Sequence, residues 1–187
     1  MKKLALSGLL VIMLFGSALA HNGALSLYIL DQTVMICNQD LAPDAIAIIS
    51  LYYIKDLGED LGKAVEFKLL SSDPSAFFVD VAWSSQIVAP LGTVDNGIAL
   101  TASACMGVGE NVVFIGDITV YHDDSPSGTF TVRVVDHPTA QPPGIYITLC
   151  DSGNTRQSVL GGTFVFNGSC NPGVQPTSWG AIKELYR

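Results

Sequence analysis

The feature that most constrains this chain is a hydrophobic alternation of period two that returns along most of its length. In 64–70, Val65, Phe67 and Leu69 alternate with Glu66 and Lys68. In 129–135, Phe130, Val132 and Val134 alternate with Thr129, Thr131 and Arg133, and in 145–150, Ile145, Ile147 and Leu149 alternate with Tyr146 and Thr148. Successive side chains of a strand point to opposite faces, so the pattern predicts half-buried antiparallel strands. Four further runs, 24–30, 45–54, 76–83 and 112–121, are apolar more continuously and rich in β-branched and aromatic residues. Such runs suit inner strands. Turn formers separate them, among them Asp95-Asn96-Gly97 and the segments 107–111, 123–128 and 138–144. About nine or ten strands at short spacing predict an all-β domain: a two-sheet antiparallel β-sandwich, Ig-like or Greek-key. The polar segment 55–63, with its two glycines, reads as a loop with at most one helical turn.

The first twenty residues obey a different logic. Lys2 and Lys3 precede an apolar run that includes Leu9 to Phe15, and Ala18-Leu19-Ala20 offers small residues for cleavage before His21. This is the pattern of a secretory signal, too short and too small-residued at its end for a membrane anchor. The expected organisation is a signal peptide over 1–20, a β-sandwich over 21–173 and a tail over 174–187. The expected location is the periplasm or the exterior, with no transmembrane anchor after cleavage.

Charge narrows the partners. Without the leader the chain carries 7 basic against 17 acidic groups. Binding nucleic acid or anionic lipid needs clustered Lys and Arg, which seven scattered cations do not supply. Four cysteines in an exported chain predict two disulfides. Of the three pairings, Cys37–Cys105 with Cys150–Cys170 is favoured, because the second then closes a short loop around one hairpin. On loop-closure entropy these would contribute about 4 and about 3 kcal/mol. The wide spacings do not suit a zinc site.

The C-terminus breaks the strand pattern. After Pro172, Gly173 and Pro176, the residues Trp179, Ile182, Leu185 and Tyr186 fall on one helical stripe, with Ser178 placed to cap and Lys183 and Arg187 in the final turns. A short amphipathic helix is expected there. Its length makes it marginal alone, so it needs a surface, either an open end of its own sandwich or another protein. The four stripe residues are the expected partner-binding set.

An opening such as Leu27-Tyr28-Ile29-Leu30-Asp31 with a Cys close behind it, four Cys in all, and the ending Trp179-Gly180-Ala181-Ile182-Lys183-Glu184-Leu185-Tyr186-Arg187 resemble a group of secreted β-rich proteins of environmental bacteria. The resemblance spans the mature chain and is specific only in the tail. It implies an exported β-domain and carries no activity or site.

Chemistry has few candidates. Cleavage after Ala20 would leave His21 with a free amine beside its ring, and His122 or His137 could complete a three-nitrogen copper site of the kind polysaccharide monooxygenases build on a similar sandwich. His122-Asp123-Asp124 and Asp151-Ser152-Gly153-Asn154 bear donors that could hold calcium, although neither has the spacing of a calcium loop. The His-Asp-Asp triplet otherwise reads as a solvated hairpin tip. Asn167-Gly168-Ser169 is a formal sequon that reads as a turn near Cys170. No nucleophile elbow, zinc-protease motif or P-loop occurs in the sequence. The aromatics Tyr28, Tyr52, Tyr53, Phe77, Phe78, Trp83, Phe164 and Phe166 are assigned to the core, with one of each adjacent pair facing out. A flat exposed aromatic row would instead suggest carbohydrate.

These observations favour a non-enzymatic module, with no required cofactor, that binds or assembles with an extracytoplasmic protein or carbohydrate. Its rivals are the copper site on His21 and a fimbrial or surface-filament subunit.

Overall fold

The computed structural model describes residues 23–31, 34–55, 61–123 and 128–170. The expected leader, His21 and the C-terminal helix lie outside them. Among the described residues the chain forms fourteen strands: β1 Ala24–Asp31, β2 Val34–Ile36, β3 Asn38–Gln39, β4 Ile46–Ile54, β5 Gly62–Ser71, β6 Ala76–Trp83, β7 Ile87–Thr93, β8 Gly97–Met106, β9 Val112–His122, β10 Phe130–Val135, β11 Tyr146–Leu149, β12 Arg156–Ser158, β13 Leu160–Gly161 and β14 Thr163–Phe166. The expected sandwich is what forms, and every alternating or apolar run of the sequence contains a strand.

One sheet has the order β13-β1-β4-β9-β6, with β2 pairing onto β1. The second is built around β5, which β8 flanks, with β7 beyond it. Also along β5, β10 pairs with Lys68–Ser71 and β11 with Gly62–Glu66, so these two are successive pieces of one antiparallel course. β14 lies beside β10, β12 beside β11, and β3 ends the order on β14. The sheets are mixed rather than wholly antiparallel, because β1–β13 and β14–β3 run parallel.

The last strands tie the layers together. The Gly162 amide donates to the Leu25 carbonyl at 2.7 Å, and the Val134 amide donates to the Gly162 carbonyl at 3.0 Å. A side chain at Gly161 could not be accommodated here, since its Cβ would stand 2.1 Å from the Val134 carbonyl oxygen.

Alternation explains the core. Leu25, Leu27, Ile49, Leu51 and Tyr53 of the first sheet join Val65, Phe67, Leu100, Val132, Phe164 and Phe166 of the second in one cluster. Each such side chain, fully buried, contributes about 1.5–3 kcal/mol. Phe130 stacks on Phe166 at 4.7 Å, and Phe164 meets Phe166 at 4.9 Å.

The disulfides correct the favoured pairing. Cys37 is bonded to Cys170, and Cys105 to Cys150. The cause is topological. β3 runs beside β14, which brings the connector bearing Cys37 to the chain segment just past β14. Gly62, the first residue of β5, pairs with both Met106 and Leu149, so Cys105, on β8, and Cys150, just past β11, meet beside the start of β5. Sequence separation alone could not reveal either juxtaposition.

Segment 55–63 is also corrected in part. Lys55 is buried and its Nζ donates to the Gly107 carbonyl at 2.9 Å, while Gly62 and Lys63 already belong to β5.

Candidate functional site

The histidines are held apart. His122 ends β9 with its ring buried, 5.1 Å from Phe130 and 3.2 Å from an Asp73 oxygen. It is not part of a solvated tip: β9 alternates, and position 122 falls on the core side. His137 lies two residues beyond the other end of β10, paired with Gly144, and its Nδ1 faces Thr139. Seven residues of extended chain separate Phe130 from His137, on the order of 20 Å. The structure therefore does not bring His122 and His137 together, and His21 is outside the described residues. Among the described residues no three His, Cys, Asp or Glu side chains gather as a metal-holding group.

The loop carboxylates serve local structure. Asp73 accepts from the Ser75 amide at 2.9 Å and contacts His122. The Ser75 bond first, and His122 second, hold its carboxyl below the ordinary carboxylate value. Asp151 accepts from the Thr155 hydroxyl and from the Thr155 amide at 2.7 Å; the hydroxyl first, and the amide second, lower its pKa likewise. Both oxygens of the expected calcium ligand are thus engaged within its own turn. At the sequon, Asn167 is in the left-handed region, φ 53°, and its Oδ1 accepts from the Leu41 amide at 2.7 Å, as a turn residue would.

The outward face of the first sheet is the unusual surface. Its cross-strand rows read Ile46–Tyr121–Phe77, then Ile48–Thr119–Asp80, then Tyr28–Ser50–Asp117–Ala82. One part is covered: Tyr28, Tyr52 and Ile54 form a buried cluster against Met35, Cys37 and Val112. The other part is bare. Ile46 is 61% exposed, Ile48 56% and Phe77 48%, and Val79, 54% exposed, stands at the bulge of β6. A scattered exposed apolar residue is ordinary; here bare apolar residues on β4 and β6 flank Tyr121 and Thr119 of β9, with carboxylates beside them. Asp117, which accepts from the Ser50 hydroxyl at 2.6 Å, and exposed Asp80 supply those carboxylates. At the adjoining open edge a cleft of about 390 Å³ separates β6 from β7, lined by Phe78, Val79, Trp83, Pro90 and Ile98 with Asp80 and Asp95.

Sequence reasoning misses this face. The runs 45–54 and 76–83 read as inner strands, yet 45–54 turns Ile46 and Ile48 outward and 76–83 turns Phe77 outward before its bulge. Apolar residues at both parities are the available signal. The pattern means burial on two sides or exposure on one, and nothing in the local sequence separates the two. Of the adjacent aromatic pairs, Phe77 faces out as expected, while Tyr52 points outward and is covered by the second cluster. The other omission is Arg156, whose guanidinium lies 3.7 Å over the Tyr146 ring and 2.6 Å from Glu66.

The two-layer β-sandwich is similar in fold to solved cohesin modules. The cohesin module of a family 33 glycoside hydrolase from Clostridium perfringens matches with a TM-score of 0.58 at 6% identity, over 80% of this chain and 98% of that one. The third ScaB cohesin of R. flavefaciens, solved in complex with a group 1 dockerin, matches at 0.51 and 9% identity over 81% and 98%. A Clostridium thermocellum cohesin from a type I cohesin–dockerin complex matches at 0.50 and 11% identity over 79% and 94%. At these identities the likeness is one of fold. No family model and no curated protein matches the sequence.

Proposed function

We propose that this chain is a non-catalytic, extracytoplasmic docking module that holds a protein partner on the outward face of β4, β9 and β6. The observation that carries this reading is the bare apolar surface of Ile46, Ile48 and Phe77 around Tyr121, beside Asp80 and Asp117, with exposed Val79 at the β6 bulge. A partner fitted to it presents an apolar patch rimmed by Lys or Arg, since opposite charge at a rim steers encounter and fixes orientation. Two lines support the reading. Cohesins of the same fold have been solved bound to dockerins, which are protein partners. Two disulfides suit an oxidising compartment, as a secreted or periplasmic protein would need.

The test compares wild type with Ile48→Asp and Phe77→Asp as baits in the native extracellular fraction, after circular dichroism and melting confirm that both variants fold. A partner retained by wild type and lost by both variants supports the reading. Equal retention by all three, or self-association of the wild type through this face, overturns it.

A further inference from the structure

The two sheets leave an opening at one edge. β6 ends the first sheet and β7 pairs only with β8, so among the described residues each has a free side. The cleft of about 390 Å³ lies between them. Its cause is the size of the residues that face inward there. Phe78, Val81 and Trp83 of β6 pack against the core cluster. Across from them, Pro90 stands opposite Leu100 and Gly92 opposite Ile98. Directly opposed residues share a face of their sheet, so Pro90 and Gly92 take core-side positions beside the buried Leu100 and Ile98. A short ring and a lone hydrogen leave unfilled the space that larger side chains would occupy. No larger residue can close it from position 92, where φ is 94° and a Cβ would stand 2.2 Å from the Gly97 carbonyl oxygen.

Two free edges would ordinarily invite strand addition. Both are protected against it. β6 shifts register between Phe78 and Asp80, and the Asp80 carboxylate accepts from the Val81 amide at 2.9 Å. β7 shifts register between Ile87 and Ala89, and Pro90 has no amide to give. The opening therefore suits a side chain better than a strand. Its buried lining, Val94 and Ile98, is apolar, whereas Asp80 and Asp95 are exposed, and none of the described residues lining it is basic. Apolar walls under two carboxylates match the stem and head of an arginine, whose guanidinium is weakly hydrated and pairs with carboxylates while its methylenes lie on apolar surface. The volume is at the small end for a ligand site, as one long side chain requires.

We propose that the β6–β7 cleft is an anchor pocket for one arginine side chain of the protein partner, its methylenes against Trp83 and Ile98 and its guanidinium at Asp80 and Asp95. Phe77 is bare on the docking face and its neighbour Phe78 lines the cleft, so a partner seated on that face reaches the pocket by rounding a single strand. That the arginine belongs to the docked partner rests on the docking-face reading; the pocket's preference for arginine does not.

The experiment titrates the full mature chain, labelled at isoleucine methyls and tryptophan indoles, with the capped peptide Gly-Gly-Arg-Gly-Gly at low salt. The comparison peptide carries citrulline, which has the same shape and no charge. The expected result is a set of shifts at the Trp83 indole and the Ile98 methyl, with the arginine peptide binding at least fivefold tighter, as two exposed ion pairs would give, and the difference shrinking as salt is added. Asp95→Lys, at an exposed turn position outside the docking face, loses the preference, and Asp95→Glu keeps it. The proposal is overturned if the unaltered chain binds both peptides equally, if the shifts do not centre on Trp83 and Ile98, or if β6 amides gain exchange protection, the mark of an added strand. The two readings fail separately. If Ile48→Asp loses the partner while Asp95→Lys binds it with unchanged Kd, the docking face stands and the anchor pocket is wrong. If Asp95→Lys weakens the partner at least fivefold while Ile48→Asp retains it, the pocket stands and the docking-face reading is wrong.

Discussion

Removal of the Cys37–Cys170 bridge by the double substitution Cys37→Ala/Cys170→Ala tests the topology most directly. The bridge spans 133 residues and encloses the Cys105–Cys150 bridge, which spans 45. A 133-residue loop corresponds to about 5 kcal/mol of denatured-state entropy, and a 45-residue loop to about 4 kcal/mol. Because the inner bridge shortcuts the outer one, the effective outer loop is about 88 residues and its contribution about 4.5 kcal/mol. In urea, with a slope of about 2 kcal/mol/M, the midpoint should fall by about 2 M, and the slope itself should rise because the denatured chain expands. The assay is equilibrium urea unfolding monitored by far-ultraviolet circular dichroism. Disulfide-linked peptides from non-reducing digestion supply the connectivity. A loss below about 1.5 kcal/mol would refute the entropy argument. Recovery of a Cys37–Cys105 peptide would refute the strand order that places β3 beside β14.

The packing and the loop carboxylates give three further expected outcomes. Phe166→Ala deletes a fully buried ring stacked on Phe130 and in contact with Phe164, and should cost about 3–5 kcal/mol in the same urea assay. Gly161→Ala forces a Cβ against the Val134 carbonyl and should cost more than the glycine-to-alanine change gives elsewhere, read as a fall in melting temperature with loosened exchange protection at Leu25 and Val134. Asp73 and Asp151 are both held below their ordinary pKa by hydrogen bonds, so the folded state binds fewer protons than the unfolded one in acid. Their contribution is present above about pH 4 and is lost as pH falls toward the lowered folded values; a melting-temperature profile from pH 6 to pH 2 should flatten in Asp73→Asn/Asp151→Asn, and an unchanged slope would discount both turns.

The strands are legible in the sequence because alternation is a local property. Val65, Phe67 and Leu69 announce one buried face of β5 without knowledge of anything else in the chain. β7 and β8 are not legible in this way. β7 carries Pro90 and Gly92, and half of β8 is Ala, Ser or Thr, with bulky residues only at Ile98, Leu100 and Met106, so neither has a sustained bulky pattern that marks a strand. Non-local facts are the ones lost. Cys37 meets Cys170 only because β3 joins the far edge of β14, and His122 faces Asp73 only because β6 and β9 pair from Ala76 to His122. The docking face is lost for a related reason. Ile46 and Ile48 look like core by composition, and only the absence of a third layer over that part of the sheet, among the described residues, makes them surface.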